Sequence, residues 1–185
     1  FIALSTGNSI ENVVGGDGND SIKGNDLGNT LNGGAGNDRI EGFAGSDILI
    51  GGDGDDTFRF DADFVLGNDI IREGVGMGGV DTLDFSATSV AITVDLRHGI
   101  QQTVVPGRLT LRFIYCHNIE NIIGGSGDDL LTGNSLDNVL EGGSGNDSML
   151  GKDGDDRYVF DADVNLGSDT LVEQPDAEGG IDTLD

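Results

Sequence analysis

The feature that most limits the folds open to this chain is a nine-residue sequence period. Five nonapeptides follow one another without a gap from Gly15 to Arg59, and four more run from Gly124 to Val159. In each, the first six positions carry mostly Gly, Asn, Asp and other small residues, whereas position eight is apolar. A unit of this size cannot bury one apolar side chain alone, so the copies must stack into a solenoid with parallel strands between coils. The position-eight residues, which would form the core, are Ile22, Leu31, Ile40, Leu49, Phe58, Leu131, Leu140, Met149 and Tyr158.

A longer period, of roughly a hundred residues, sets the domain organisation. Ile10–Val14 recurs as Ile119–Ile123, and Asp81–Asp84 recurs as Asp182–Asp185. We therefore expect the chain to be an excerpt from a tandem array that begins and ends inside a copy. The expected divisions are a lead-in from a preceding unit (1–14), a first β-roll block of five nonapeptides (15–59), a strand-rich spacer (60–123), a second block of four nonapeptides (124–159) and the start of the next spacer (160–185).

The spacer lacks the nine-residue register but carries strand signals. Apolar residues alternate with polar or small ones over 90–96 and over 109–115, and Pro106-Gly107 lies between the two runs. Such alternation is typical of half-buried strands, and a Pro-Gly pair is typical of a turn. The pattern predicts a hairpin, or two successive strands packed on the end of a roll, and no segment shows a helical period. The predicted fold class is all-β: a parallel β-roll, a β-helix-like solenoid, in two blocks joined by the spacer.

Charge explains why such a chain needs a bound partner in order to fold. The sequence has 34 acidic and 9 basic residues, a formal net charge of -25 and 36 % apolar residues. Chains of that composition are normally disordered because self-repulsion outweighs the small gain from apolar burial. Hard divalent cations would cancel the charge. The acidic excess argues against nucleic-acid and anionic-membrane partners, no apolar run could span a bilayer, and the single cysteine forms no intrachain disulfide.

Seven of the nine nonapeptides carry a carboxylate at position six, and these residues are Asp20, Asp38, Asp47, Asp56, Asp129, Asp147 and Asp156. Two nonapeptides would make one coil, so alternate loops would stack on the same side. Carboxylates stacked about 5 Å apart, the distance between strands, would repel one another without an ion between them. The loops offer oxygen ligands and neither His nor Cys, which favours calcium over zinc or copper. The sequence thus predicts several calcium ions between the loops.

These strings resemble the RTX (repeats-in-toxin) nonapeptide GGxGxDxUx, as GGDGNDSIK from Gly15 illustrates. The resemblance covers 81 of the 185 residues. In that family each ion sits between same-side loops. One loop supplies carbonyl oxygens from positions two and four with its position-six Asp, and the next supplies carbonyl oxygens from positions one and three with its position-six Asp. Carried onto this chain, the resemblance implies a first site from Gly16, Gly18, Asp20, Gly33, Ala35 and Asp38, a second from Gly34, Gly36, Asp38, Gly51, Asp53 and Asp56, and a third from Gly125, Gly127, Asp129, Gly142, Ser144 and Asp147.

The second nonapeptide of each block departs from the family pattern, because Asn29 and Asn138 stand at position six. A neutral amide oxygen replaces a carboxylate there, so we expect weaker or empty sites in these two places. The implied ligands on the facing loops are Gly42, Ala44 and Asp47 in the first block and Gly151, Asp153 and Asp156 in the second. Glu11 and Glu120 fall where position six of a preceding loop would lie; each could be a terminal ligand or a solvated acid, and both alternatives stay open.

The sequence predicts no enzyme. Identical stacked loops offer no cleft that would tune one carboxylate against another, as glycosidases require, and no G-x-S-x-G motif is present. A flexible acidic linker is a weaker interpretation, because the nine-residue register holds through every copy.

The RTX resemblance implies export by a type I secretion system to the outside of a bacterial cell. The predicted function is a calcium-binding module that folds on binding calcium after secretion, as a structural segment of a large extracellular protein such as an adhesin or a toxin. The alternative is a carbohydrate-binding module beside a secreted enzyme, as the R-modules of alginate epimerases suggest, although nine scattered Lys and Arg argue against their basic groove. The expected partners are calcium ions, with a polysaccharide or a cell surface as further candidates, and the chain is expected to be a monomeric segment of a longer protein.

Overall fold

The computed structural model describes residues 1–5, 10–73, 79–97, 99–114, 118–160, 167–172 and 181–185. Within these ranges the regular elements are 19 strands, numbered β1 to β19 in chain order, and none of the elements is a helix. All strand pairings in this part of the chain are parallel except one. The predicted all-β parallel roll is confirmed.

One sheet runs through the whole described chain and contains nine strands whose spatial order is their chain order. They are β1 (Ile2–Ala3), β3 (Ser21–Lys23), β5 (Arg39–Glu41), β7 (Thr57–Arg59), β9 (Thr82–Asp84), β13 (Asn121–Ile123), β15 (Val139–Glu141), β17 (Arg157–Val159) and β19 (Thr183–Leu184).

The strands that alternate with these along the chain form two further sheets. The six-stranded sheet has the order β2 (Asn12–Asp17), β4 (Thr30–Ala35), β6 (Ile48–Asp53), β8 (Gly67–Arg72), β12 (Leu109–Ile114) and β11 (Gln101–Val105). The four-stranded sheet has the order β10 (Thr93–Asp95), β14 (Leu130–Thr132), β16 (Ser148–Leu150) and β18 (Thr170–Leu171).

The strand register explains the nine-residue period. Ile22 of β3 pairs with Ile40 of β5, and Leu31 of β4 pairs with Leu49 of β6, so each partner lies two nonapeptides further along the chain. Two nonapeptides therefore make one coil. Every position-eight side chain is at most 1 % exposed, which places all nine in one hydrophobic core.

The spacer takes part in the roll. Strand β9 pairs with β7 on one side and with β13 on the other, so the nine-stranded sheet passes without a break from the first block to the second. Two spacer rings, Phe60 and Phe85, stack in the core with centroids 5.2 Å apart. The division of the chain into two blocks and a spacer stays a prediction.

The spacer contains the expected hairpin, but with a different first strand. β12 pairs antiparallel with β11, and the turn between them contains Pro106 and Gly107, the latter at a φ of 74°. The alternating run at 90–96 instead contains β10, which pairs in parallel with β14 and begins the four-stranded sheet. The alternation identified its buried side chains, Ile92, Val94 and Leu96, because periodicity reports burial and not the pairing partner. Tyr115, the last residue of the second run, lies outside the described residues.

Candidate calcium sites

The position-six carboxylates form ladders along the roll. Oδ1 of Asp38 accepts the backbone N–H of Asp20 at 2.7 Å, and Oδ1 of Asp56 accepts that of Asp38 at 2.8 Å. In the second block Oδ1 of Asp147 accepts the N–H of Asp129 at 2.8 Å. Each bond joins residues one coil apart, because the short strands that follow position six lie in register. One oxygen of each accepting carboxylate is thereby fixed, and the orientation of the second oxygen is fixed with it.

The second carboxylate oxygen, Oδ2, is the atom that indicates a bound cation. Five aspartates, each at most 2 % exposed, have a buried Oδ2 with no hydrogen-bond partner in the described part of the chain: Asp38, Asp47, Asp56, Asp69 and Asp147. Buried polar atoms without partners are rare in folded proteins, and an uncompensated carboxylate costs several kcal/mol. Hard oxygen atoms with free lone pairs are the ligands that calcium prefers. The residues present therefore fit calcium.

The glycines let the loops close around these oxygens. A Cβ on Gly33, at position one, would overlap Oδ2 of Asp38. Gly34, at position two, has a φ of +114°, and a Cβ there would overlap the carbonyl oxygen of Gly16 in the loop below. A larger residue at either place would fill the space between neighbouring loops or strain the backbone.

Burial raises the pKa values of these carboxyl groups. It raises the pKa of Asp56 and of Asp129 to about 6 and that of Asp47 to about 7, while hydrogen bonds from backbone N–H groups oppose the shift. The pKa values of Asp38 and Asp147 are raised by burial as well. Without a cation, several of these groups would hold a proton close to neutral pH. A divalent cation would stabilise the ionised forms instead.

The first stack, formed by loops 15–20, 33–38 and 51–56, brings the ligands implied for the first two sites into register. Gly16 pairs with Gly34, and Ala35 pairs with Asp53. The carbonyl oxygen of Asp53 accepts the N–H of Gly36 at 2.7 Å, which leaves it one further lone pair. The implied ligands Gly16, Gly18, Asp20, Gly33, Gly34, Ala35, Gly36, Asp38, Gly51, Asp53 and Asp56 all lie on these loops. Their role as ligands stays a prediction.

The third implied site has a different local arrangement. Gly125 donates its N–H to Oδ2 of Asp129 at 2.8 Å, and its carbonyl oxygen accepts the N–H of Ser144 at 3.0 Å. Gly145 stacks on Gly127 in the loop one coil earlier. Gly142 and Asp147 keep the close approach of the first stack, since a Cβ on Gly142 would overlap Oδ2 of Asp147. The implied residues are adjacent, although one oxygen of Asp129 already has a partner within its own loop.

In both loops with a position-six amide, the amide oxygen accepts a hydrogen bond from within its own loop. Oδ1 of Asn29 accepts the N–H of Asn25 at 2.9 Å, and Oδ1 of Asn138 accepts that of Asn134 at 2.8 Å. Each amide thus closes its own loop. The facing loops carry the implied ligands Gly42, Ala44 and Asp47 and, in the second block, Gly151, Asp153 and Asp156.

Position two of both facing loops departs from glycine. Phe43 has a φ of 66° and Lys152 a φ of 94°, a backbone conformation that costs side-chain-bearing residues of order 1 kcal/mol or more. The reduced calcium affinity expected in these loops stays a prediction.

Three acidic residues that the nine-residue motif does not identify continue the ladders into the spacer. Oδ1 of Asp69 accepts the N–H of Asp47, Oδ1 of Asp81 accepts that of Asp56, and Glu73 binds the N–H of Gly51. Their separations from their partners are 22 or 25 residues instead of 18, so a search in steps of nine passes over them. The longer repeat could have identified two of these acids, because Asp69 recurs as Asp169 and Asp81 as Asp182.

Glu11 and Glu120, each of which could be a terminal ligand or a solvated acid, differ in their surroundings. Glu11 is exposed, and its carbonyl oxygen accepts the N–H of Thr30. Glu120 is partly buried, and its Oε2 accepts the N–H of Asp81 at 2.8 Å, as a ladder carboxylate does. Glu120 therefore belongs to the ladder.

Parallel coils whose turns carry rows of buried carboxylates define a metal-binding β-roll. The family model described as the RTX calcium-binding nonapeptide repeat (4 copies) matches residues 5–26, 23–58, 119–135, 123–158 and 132–166. These matches cover more than half of the sequence, so the chain belongs to this family of calcium-binding structural repeats, which is typical of secreted bacterial proteins. No curated protein matches the chain. In the part of the chain that the structure describes, no helix has the length and apolar character to cross a membrane.

Replacing Asp38 by Asn tests the ladder. Asp38 is shared by two implied sites, and Asn keeps its shape and its hydrogen bond to Asp20 while removing the charge. Loss of even an outer-shell partner costs roughly 10- to 100-fold in metal affinity. We therefore expect isothermal titration calorimetry to show at least a tenfold loss of calcium affinity at two sites. Asp17→Asn, an exposed change at position three, is the control and should leave binding unchanged. Equal binding by both variants would contradict the assignment.

The raised pKa values predict that, in the absence of calcium, the folded state becomes less stable as pH rises. A carboxyl whose pKa is higher in the folded chain stabilises it below pH about 4 and loses that contribution as pH rises through the folded value. The relevant pKa values are about 6 for Asp56, about 7 for Asp47 and about 8 for Asp69. Calcium-free protein should therefore gain β-structure, measured by circular dichroism, as pH falls from 8.5 to 5.

Two controls isolate the buried carboxyl groups. In saturating calcium the trend should reverse, because protons compete with the metal for the same oxygens. Asp69→Asn should remove the part of the calcium-free gain that occurs near pH 8. A calcium-free spectrum that does not change between pH 5 and 8.5 would contradict this prediction.

Proposed function

We propose that this chain is a calcium-dependent folding module that acts after export, as a structural segment of a large extracellular bacterial protein. The observation that carries the proposal is the row of buried, unpartnered carboxylate oxygens beside the position-one glycines. A fold that buries these groups gains little stability until a cation occupies the space between them. Calcium binding and folding are therefore one process in this chain.

The net charge of the chain explains why folding would occur outside the cell and not before export. With a net charge of -25 the calcium-free chain repels itself and stays expanded. Calcium sites of extracellular modules have dissociation constants of about 10⁻⁴ to 10⁻³ M, so such sites stay empty in a cytosol and fill outside the cell. The module would thus remain unfolded until it has been secreted.

The continuous sheet suits a structural role. Nine strands at a spacing of about 4.8 Å make a rod nearly 40 Å long. Its loops are alike along its length, and the described residues offer no distinct catalytic constellation beyond the ladders. These features support a stiffening or spacing segment in a protein such as an adhesin or a toxin, with the chain as a monomeric part of it and no enzymatic role of its own.

Circular dichroism with and without calcium tests the proposal. In a chelator the far-UV spectrum should be that of an unfolded chain, and calcium should produce a β-sheet spectrum with a midpoint of about 10⁻⁴ to 10⁻³ M. Magnesium is the control: it demands a regular octahedral shell, so the same concentration should not restore the fold. A spectrum that is identical in chelator and in calcium would contradict calcium-coupled folding.

Carbohydrate binding is the second candidate, and one surface feature favours it. A recess of about 550 Å³ is lined by the rings of Phe43 and Phe64, with Glu41, Arg59 and Asp61 beside them. Phe64 is 65 % exposed. Aromatic faces with adjacent polar groups suit the apolar face and the hydroxyls of a sugar, and the excess of carboxylates favours a neutral glycan over an anionic one.

A glycan array probed in calcium tests this candidate. Retention of a neutral polysaccharide should be lost in Phe64→Ala, because the change removes the exposed ring, and kept in Ile100→Ala, which alters an exposed apolar residue outside the recess. If the unmodified chain retains no glycan, the candidate is wrong.

A further inference from the structure

The segment that ends at Asp81 stacks on the last loop of the first block although it is not a nonapeptide. Gly79 lies against the carbonyl of Gly54, as Gly54 lies against that of Gly36. Val80 donates its N–H to Oδ1 of Asp55, and Asp81 accepts the N–H of Asp56. Asp81 therefore holds the place of a position-six aspartate one coil further along.

The same comparison places a glutamate where the repeat has a glycine. Strands β6 and β8 pair Ile50 with Arg72, so Glu73 follows at the level of Gly51, which is position one of its loop. Position-one glycines face the position-six carboxylate of their own loop. Glu73 extends from this place toward the loop below, where its Oε1 accepts the N–H of Gly51 at 3.0 Å and its Oε2 that of Gly52 at 3.5 Å.

Three carboxylates meet at this level of the roll. One oxygen each from Asp56, Glu73 and Asp81 lie within 4.8 Å of one another, and the three side chains are at most 2 % exposed. Oδ2 of Asp56 has no hydrogen-bond partner among the described residues. It faces the same point beside Gly51 as Oε1 of Glu73 does, since a Cβ on Gly51 would meet both atoms.

In the described part of the chain, no salt bridge offsets these three charges. Among the described residues, no Lys or Arg forms an ion pair with Asp56, Glu73 or Asp81. Buried carboxylates in this number must be protonated or must hold a metal ion. The donors are oxygen atoms only, and they sit on a flexible glutamate and two loop aspartates, which suits the irregular coordination of calcium better than the octahedral shell of magnesium.

We propose that Asp56, Glu73 and Asp81 bind a calcium ion where the first nonapeptide block ends, at a site that the nine-residue motif does not encode. This site supplies three carboxylates, whereas each implied nonapeptide site supplies two. Affinity for calcium rises with the number of charged ligands, so this ion binds more tightly than those between the nonapeptide loops. It closes the first block and fixes the spacer strand β9, which leads into the second.

The longer repeat carries the same design. Glu73 and the string Gly79-Val80-Asp81-Thr82-Leu83-Asp84 recur as Glu173 and Gly180-Ile181-Asp182-Thr183-Leu184-Asp185. Two contacts recur with them, because Asp182 accepts the N–H of Asp156 and Ile181 donates to Asp155 as Val80 does to Asp55. Glu173 itself lies outside the described residues.

The Glu73→Gln variant of the chain tests this inference, which rests on the proposed calcium-dependent folding. Gln keeps the length of the side chain and an oxygen to accept the N–H of Gly51, but removes one charge. Native mass spectrometry and calorimetry with calcium should show one bound ion fewer than in the unmodified chain, with the remaining ions bound as before. Asp17→Asn removes an exposed charge away from this site and should keep the full number of ions.

The thermal melting temperature in saturating calcium is a second measurement, and the direction of its change distinguishes the two outcomes. If Glu73 holds an ion, Gln lowers the melting temperature in calcium, because the stabilisation by that ion is lost. If it holds none, Gln leaves the melting temperature unchanged or raises it, because an unpaired buried charge is removed, and the inference is overturned, as it is by an unchanged ion count. Asp81→Asn should reproduce both effects of Glu73→Gln.

The outcome also separates this site from the proposed function. If the unmodified chain does not fold on addition of calcium, the proposed function fails. If the unmodified chain folds and Glu73→Gln binds every ion, only the site at Glu73 fails.

Discussion

Repulsion between stacked, buried carboxylates is the constraint on which the rest of this structure depends. From Asp38 to Glu120 each acidic side chain of this row accepts the backbone N–H of the residue one coil earlier, so the charges are held in a row inside the protein. The row resumes from Asn138 to Asp182. Placed so closely and shielded from water, the carboxylates oppose the fold unless cations lie between them.

The hydrophobic core contains few side chains for the number of residues that fold around it. Each nonapeptide contributes one fully buried apolar side chain, such as Leu31 or Leu140, while its six loop residues contribute almost none. One buried side chain for every nine residues gives little free energy against the conformational entropy that is lost when those residues are ordered. The proposed ion binding would supply much of the remaining stability, as it does in other small metal-dependent folds. On this proposal the loops that hold the ions and the strands that form the core are stabilised together.

The nine-residue period was sufficient to predict the all-β roll and the burial of residues such as Ile22 and Phe58, because both follow from a strictly local repeat. It was not sufficient for the spacer. The pairing of β9 with β13 joins residues 39 positions apart, and nothing local specifies that distance. The hairpin partner of β12 is β11 and not the expected run at 90–96 for the same reason, since alternation reveals which side chains are buried but not which strand lies beside them.

The acidic residues of the candidate sites likewise include some that the motif predicts and some that it does not. Asp38 and Asp56 could be named from the motif, because GGxGxDxUx places a carboxylate at a fixed step. Glu73 stands in place of a glycine, and Asp81 follows a longer loop, so both enter the ladder only through the stacking of whole coils. The family to which the chain belongs defines its regular loops, while the irregular ones depend on how the spacer packs.

Anomalous diffraction from a calcium-loaded crystal tests directly whether cations lie between the stacked carboxylates. We expect peaks between successive carboxylates of the first stack, with Oδ2 of Asp38 and of Asp56 turned toward them. Peaks only at exposed acids such as Asp17, or ladder carboxylates directed into solvent with no ion between the coils, would contradict it.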